Sequence, residues 1–305
     1  RYNVEMNQTI FAPALKKGDT IGVMSTSCHV KRENIITATN FMEAEGYKVF
    51  VHEQTFNQSN QSAGTTQEKT DALHDLFKNK EIKAILGSRG GNRASTMLDK
   101  LDYDLIQANP KIITGYSDVT ALTNAIHAKT GLITFQSPLF RELPTHKDFR
   151  FMLNVLEGKQ TTVDLHDCAV IKDGQAEGKI LGGNLSVLQG LIGTPYQPDF
   201  NGAILVLEDV ADHISRYDRM FCHLRNAGIL KSLSGLIIGS FSNMKDSEDN
   251  PFGFTLEDIV QEHTHGYNYP ILMNAPFGHE GLLKTLPIGA NATLKNAQLS
   301  FKAVQ

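Results

Sequence analysis

A serine lies at a sharp turn between a predicted strand and a predicted helix. The segment 111–122 reads KIITGYSDVTAL, with apolar residues before Gly115 and a helical pattern after Asp118. A serine at such a turn presents its hydroxyl above the sheet, and neighbouring backbone N–H groups point to where an oxyanion would form. The hydrolase pattern G-x-S-x-G is incomplete, because Val119 replaces the second glycine. Taken alone, the simpler interpretation is a helix cap at Ser117 or Asp118.

A glycine pair follows another predicted strand. Residues 85–93 read ILGSRGGNR, so Gly90 and Gly91 come soon after an apolar stretch. Glycine permits positive φ and close backbone approach, which suits N–H donation to an anion or a developing oxyanion. The segment matches neither G-x-G-x-x-G nor a P-loop, because no Gly-Lys-Ser/Thr ending follows. A structural tight turn is the alternative.

An acidic pair and a late histidine complete a set of catalytic residue types. Glu208 and Asp209 end an apolar run over 203–207. His279 lies in a loop between two glycines, where an imidazole can act as a base. Taken singly, a helix-capping carboxylate and a surface histidine are the alternatives. Together with Ser117 these residues supply a nucleophile, an orienting carboxylate and a general base, provided that two domains meet across a cleft.

Two further pairs of polar residues give weaker evidence for a functional site. His263 and His265 could lie on one strand face, but no third ligand stands at a recognisable spacing, and neither a metal nor a cofactor is expected. Cys28 and His29 are adjacent, so on an extended chain their side chains point apart. An incidental thiol is therefore the preferred interpretation of Cys28.

The elements that must position these residues alternate along the chain. Predicted strands cover 19–24, 47–51, 82–86, 111–114, 178–183, 202–207, 235–238 and 270–273, with helices over 35–45, 67–77, 95–101, 119–128, 215–227 and 256–261. This alternation predicts an α/β fold with a mainly parallel sheet and ligands at the carboxyl ends of its strands. A polar stretch divides it, so we predict a domain over 1–155, a linker over 156–177 and a second α/β domain over 178–305.

Composition excludes several classes of protein. The 305 residues include 29 Lys and Arg against 33 Asp and Glu, and this balance disfavours a general nucleic-acid binder. The chain has no run of 18 apolar residues, so no transmembrane helix is expected, and no membrane partner is predicted. Its three cysteines are far apart and favour a reducing compartment over a disulfide framework. Because the sequence begins at Arg1 and not at Met, a removed signal peptide stays an alternative.

Several ordered motifs run along nearly the whole chain. They are LKKGDTIG (15–22), RGG (89–91), LDYDLIQANPK (101–111), GYSDVTAL (115–122), GGNL (182–185), LEDV (207–210), RYDRM (216–220), LRNAG (224–228) and PFGH (276–279). Together they resemble the LD-carboxypeptidases, a family of serine peptidases that also includes the microcin-immunity peptidases.

The resemblance implies a fold, a site and an activity. The fold is a flavodoxin-like parallel-sheet domain followed by a second α/β domain of the swivelling type. The site is a Ser-His-Glu triad of Ser117, His279 and Glu208, with oxyanion donation from the backbone N–H groups of Gly91 and Asp118. The activity is metal-independent release of the terminal D-alanine from murein tetrapeptides through an acyl-enzyme, in cell-wall recycling. A homodimer and a cytoplasmic location are further expectations.

A carboxypeptidase substrate carries a free carboxylate, which needs a cation. The candidates are Arg89 and Arg93 beside the glycine pair, and Arg216 and Arg219 on a predicted helix. A solvated salt-bridge face is the alternative for the helical pair.

Two rival functions stay open. One is an immunity-type peptidase that cleaves peptidyl-nucleotide or acyl-sulfamoyl adenylate toxins, although the chain has no Trp to stack on a base. The other is a two-lobed protein that binds a small ligand without catalysis.

Overall fold

Two β-sheets and their flanking helices make up the part of the chain that the computed structural model describes, residues 9–304. In chain order the strands are β1 (Thr20–Met24), β2 (Lys48–Val51), β3 (Ile82–Gly87), β4 (Ile112–Thr114), β5 (Thr134–Gln136), β6 (Thr162–Asp164), β7 (Ala169–Lys172), β8 (Ala176–Asn184), β9 (Ile204–Val210), β10 (Gly235–Ser242), β11 (Ile271–Met273), β12 (Leu286–Ile288), β13 (Asn291–Lys295) and β14 (Gln298–Phe301). The α-helices are α1 (Arg32–Ala44), α2 (Thr66–Lys78), α3 (Tyr103–Ala108), α4 (Thr120–Thr130), α5 (Phe149–Leu156), α6 (Leu185–Gln189), α7 (Ile214–Asn226), α8 (Ile229–Ser232) and α9 (Leu256–His263). Short 3-10 helices cover Glu53–Phe56, Ala94–Lys100, Ser117–Val119 and Phe140–Glu142.

The ends of the predicted domains lie outside this description. Residues 1–8 of the first predicted domain and residue 305 of the second are not among the described residues. Within 9–304, no helix combines the length and the apolar character that crossing a bilayer requires.

The first sheet has the strand order β12-β5-β4-β3-β1-β2. Neighbouring strands from β2 to β5 are parallel, whereas β12 is antiparallel to β5. The order 2-1-3-4-5 is that of flavodoxin-like folds, so the predicted parallel α/β class is confirmed. Because helices cover such a sheet, its strands are apolar nearly throughout, as the burial of β1, β3 and β4 illustrates. The carboxyl ends of these three strands meet at one edge.

The second sheet is mixed, with the order β6-β14-β13-β8-β9-β10-β11-β7. The strands β8 to β11 are parallel, and antiparallel strands flank them. The predicted linker over 156–177 is corrected here, because it contains β6 and β7, the two outer strands of this sheet. Outer strands carry exposed polar residues, so their composition does not distinguish them from a linker. In addition, β12 returns from the second predicted domain to the first sheet.

A contact between α4 and β8 joins the two halves. The Asn124 side chain donates to the Gly182 carbonyl at 2.8 Å and accepts from the Gly182 N–H at 3.1 Å. The Asn184 N–H donates to Thr120 Oγ1 at 3.0 Å. Between them, Gly183 has φ +130°, and a Cβ there would lie 2.7 Å from Thr120 Oγ1. Because α4 follows the predicted nucleophile and β8 pairs with β9, this contact brings the predicted serine and acid toward each other.

Candidate active site

The predicted nucleophile lies on a strained turn between β4 and α4. Ser117 has φ +61°, a left-handed conformation that costs an L-residue about 1–2 kcal/mol. Neither Ser117 nor Asp118 caps the helix through its side chain. Asp118 Oδ2 instead accepts a hydrogen bond from the Ala94 N–H at 2.8 Å. The simple helix-cap interpretation is therefore wrong, and the partly exposed serine has the backbone of a nucleophile elbow.

The two carboxylates at the end of β9 point in opposite directions, as adjacent strand residues do. Asp209 accepts hydrogen bonds from the Ser186 N–H at 2.8 Å, the Ser186 hydroxyl at 2.6 Å and the Asn184 amide at 3.2 Å. Those contacts hold the start of α6. Glu208 is fully buried and faces His279 instead. Asp209 therefore has a structural role, and Glu208 is left available for chemistry.

The histidine is held by the loop that follows β11. The Ser240 N–H of β10 donates to the Phe277 carbonyl at 2.8 Å. Gly278 has φ +148°, and a Cβ at this position would collide with Ser240 Oγ. Only glycine therefore permits the loop to lie this close to β10, and this close approach fixes the backbone from which the His279 side chain projects.

These three side chains form one hydrogen-bonded chain. His279 Nδ1 lies 2.6 Å from Glu208 Oε2, and His279 Nε2 lies 3.1 Å from Ser117 Oγ. When the Nδ1–H donates to the carboxylate, Nε2 is free to accept from the serine hydroxyl. The ring of Tyr116 packs against the imidazole at a centroid separation of 4.9 Å and an interplanar angle of 52°. Such an arrangement can deprotonate the serine as it attacks a carbonyl.

Burial and charge act in opposite directions on the pKa values of this site. Burial favours the neutral imidazole, but the hydrogen bond and the charge of Glu208, with Asp209 and Glu142, raise the pKa of His279 above its usual range. Burial raises the pKa of the Glu208 carboxyl, and the bond from His279 opposes that rise. The acid therefore stabilises the protonated imidazole, which is the form that a general base becomes.

The glycine pair lies beside the serine. A Cβ on Gly90 would stand 3.1 Å from Ser117 Cβ and 3.2 Å from Ser117 Oγ. Gly91 has φ +130°, and a Cβ there would collide with the sulfur of Cys28. This turn is thus built around glycine. The backbone near the predicted oxyanion donors, Gly91 and Asp118, therefore approaches the nucleophile closely.

The predicted arginines are not part of the hydrogen-bonded chain. Arg89 donates to the His29 carbonyl at 2.9 Å, and Arg216 lies 3.4 Å from the carboxylate of Asp212. Arg93 and Arg219 are exposed. Within 9–304, none of the four makes a hydrogen bond or ion pair with the serine, the histidine or the glutamate. Which of them meets a substrate carboxylate stays a prediction.

Sequence reasoning missed the neighbours of the imidazole. Tyr116 packs against it with the two rings tilted by 52°, and the hydroxyl of Tyr116 lies 3.5 Å from Glu142 Oε1. The position of Tyr116 next to Ser117 was a usable signal. Glu142 lies in a separate 3-10 helix and had none.

Two of the remaining candidates, His263 and Cys28, are not part of the hydrogen-bonded chain, and His265 is exposed. His263 is buried, and its Nε2 lies 2.9 Å from Asp218 Oδ1, which links α9 to α7. Cys28 is buried against the glycine turn. Among the described residues, no group of three or more His, Cys, Asp and Glu side chains is arranged to hold a metal ion.

Comparison with known proteins identifies both halves of the chain. Residues 21–137 match the model of the LD-carboxypeptidase N-terminal domain, and residues 177–294 match that of the LD-carboxypeptidase C-terminal domain. The "Probable murein peptide carboxypeptidase" of Bacillus subtilis is 31% identical, over 93% of this chain and 91% of that protein.

Two further relatives connect sequence with structure. The microcin C7 self-immunity protein MccF of Escherichia coli is 29% identical over 93% of each chain. A solved structure of MccF with glutamyl sulfamoyl guanosine superposes with a TM-score of 0.87, over 96% of this chain and 98% of that one. The muramoyltetrapeptide carboxypeptidase of Oxalobacter formigenes, 27% identical, superposes with a TM-score of 0.81 over 93% of this chain and 98% of that one. The chain belongs to the LD-carboxypeptidase family.

Proposed function

We propose that this protein is a serine-type LD-carboxypeptidase that releases the terminal D-alanine from murein tetrapeptides. The observation that carries the proposal is the hydrogen-bonded chain from Ser117 through His279 to Glu208. A two-lobed binding protein needs no imidazole between a strained serine and a buried carboxylate, so this geometry favours catalysis over binding alone.

In the first step, Ser117 Oγ attacks the carbonyl carbon of the scissile amide while its proton passes to His279 Nε2. The carbonyl electron pair moves onto oxygen, where backbone N–H groups at Gly91 and Asp118 stabilise the charge. When the C–N bond breaks, the imidazolium protonates the leaving amine, and D-alanine departs. Glu208 holds the ring in the required tautomer throughout.

In the second step, water attacks the acyl-enzyme. His279 removes a proton from the water, the tetrahedral intermediate forms again, and the C–Oγ bond breaks with return of that proton to Ser117. The products are the shortened peptide and the free enzyme. Both steps use the same three side chains.

A murein tetrapeptide is the first candidate substrate because the relatives include proteins named murein peptide and muramoyltetrapeptide carboxypeptidase. An acyl-sulfamoyl nucleoside is the second candidate, supported by the superposition on MccF with glutamyl sulfamoyl guanosine. In both, the enzyme would cleave a bond to the acyl carbon of an amino acid. The absence of Trp from the chain favours the murein peptide.

The test presents both substrates to the same preparation. The protein is incubated under metal chelation with L-Ala-γ-D-Glu-meso-diaminopimelate-D-Ala or with glutamyl sulfamoyl adenosine, and products are identified by mass spectrometry. We expect D-alanine from the tetrapeptide. The S117A variant and a tetrapeptide ending in L-alanine are the controls. Cleavage of the nucleoside alone would select the second candidate, and cleavage of neither would refute the proposal.

A further inference from the structure

A lysine is buried beside residues 90–94, the loop that contains the predicted oxyanion donor Gly91. The mechanism above does not use this lysine. Lys69 has no exposed surface, although it lies in the first turn of α2. A cation in that position meets the positive end of the helix dipole, and burial removes its hydration. Both effects are unfavourable, so the lysine needs compensating partners.

The compensating partners of Lys69 belong to the 90–94 loop and to the turn that carries Ser117. Lys69 Nζ donates to the Arg93 carbonyl at 3.1 Å. Arg93 has φ +79° and ends the segment that begins at the glycine pair. At the next residue of the loop, the carboxylate of Asp118 accepts from the Ala94 N–H at 2.8 Å. Two consecutive residues of the loop are thus held by buried charges of opposite sign.

The two charges also act on each other. Burial lowers the pKa of Lys69, and the carboxylate of Asp118 opposes that change. Burial raises the pKa of Asp118, and the bonds from Ser27 and Ala94 and the charge of Lys69 oppose it. Each group therefore helps to keep the other ionised inside the protein.

We propose that Lys69 and the side chain of Asp118 are positioning residues that hold the backbone of residues 90–94 against the Ser117 elbow, in the place where the oxyanion needs its donor. The inference rests on the proposed function. It follows from position in the chain: Asp118 comes directly after Ser117, and Ala94 comes three residues after Gly91. A short segment held at one end moves little at the other.

A displaced donor weakens stabilisation of the transition state more than binding of the substrate. Loss of a whole oxyanion donor lowers kcat by about 10²–10³-fold, so a misplaced donor should lower it by about 10–100-fold. We therefore expect K69M and D118N to lower kcat by that factor, with KM within about threefold of wild type. A merely structural role would change stability without this division between kcat and KM.

The experiment compares K69M, K69R and D118N with K78M, in which an exposed lysine of the same helix is replaced. The first readout is D-alanine release from the tetrapeptide. The second is the rate of labelling by an alkyl fluorophosphonate, in which the Oγ–P bond forms, fluoride leaves and His279 takes the serine proton. The phosphoryl oxygen occupies the oxyanion position, so labelling tests the loop independently of the natural substrate.

We expect labelling and kcat to fall together in K69M and D118N, to recover in part in K69R and to stay at wild-type values in K78M. Because both residues act on one segment, the double variant should lose less than the product of the single losses. Should K69M not fold, D118N carries the same test, because it keeps the side-chain volume and an acceptor oxygen for the Ala94 N–H but removes the charge that compensates the buried Lys69. Labelling rates within twofold of wild type in folded D118N would overturn the inference. Normal labelling of the wild type without D-alanine release would instead refute the proposed function alone.

Discussion

Replacement of Glu208 by glutamine tests the central electrostatic argument. Glu208 is fully buried, and its Oε2 lies 2.6 Å from His279 Nδ1. With charge centres about 4 Å apart and an effective dielectric constant of about 20, the carboxylate stabilises an imidazolium by about 4 kcal/mol. That energy corresponds to about 10³-fold in rate. The glutamine amide also favours the wrong tautomer, so we expect kcat to fall by about 10³–10⁴-fold.

The same variant should change the pH profile. His279 acts as a base only when neutral, so kcat/KM falls as pH drops through its pKa. Because Glu208 raises that pKa, the acid limb of the wild type should lie above the ordinary histidine value of about 6.5. Removing the charge leaves burial, which favours the neutral ring. The limb of E208Q should therefore move to lower pH.

The assay is D-alanine release between pH 5 and 9, with D209N as the matched control. Asp209 lies next in the chain but bonds to Ser186, so D209N should mainly lower stability and should shift the limb less than E208Q. An E208Q protein that kept kcat within tenfold of wild type would refute the reasoning. An acid limb that stayed in place or moved to higher pH would do the same.

Four further substitutions test the turns at Ser117 and Gly91 and the ion pair between the buried Asp148 carboxylate and the partly exposed Lys284. S117A and S117G should both lower kcat by about 10⁴–10⁶-fold. In urea unfolding S117G should be more stable than S117A by about 1 kcal/mol, because φ at this position is +61°. Equal stabilities of the two variants would contradict a strained turn. The buried carboxylate of Asp148 accepts from the Leu283 N–H and from Lys284 Nζ, each at 2.6 Å. D148A removes this acceptor and should lower the free energy of unfolding by about 2–4 kcal/mol. A loss below 1 kcal/mol in the same assay would argue against the ion pair. G91A should lose both thermal stability and D-alanine release, because Gly91 has φ +130° and a Cβ there would collide with the sulfur of the buried Cys28. A wild-type melting temperature and wild-type turnover would show that this turn tolerates a side chain.

Local patterns were sufficient for the central strands of both sheets and for the class of fold, whereas β5 and β12 to β14 were not predicted. The apolar runs of β1, β3 and β4 were predicted within a few residues, because burial on both faces produces continuous hydrophobic stretches. The helices α1 and α2 were predicted equally closely, but the predicted helix over 95–101 is a 3-10 helix and α3 was missed. The outer strands β6 and β7 were taken for a linker, because a strand that is half exposed has the composition of a loop. The homodimer and the cytoplasmic location stay predictions.

The sequence by itself determined which residue types were available: a serine after β4, an acid at the end of β9 and a histidine in a loop between glycines. Only the tertiary structure decided that these three meet, since the α4–β8 contact and the loop against β10 place groups distant in sequence within 3.1 Å or less of one another. It also decided which of two adjacent carboxylates faces the imidazole, and it showed Lys69 to be buried beside the loop. The reason is physical: side-chain type is a local property, whereas burial, direction and charge separation depend on what packs from the rest of the chain.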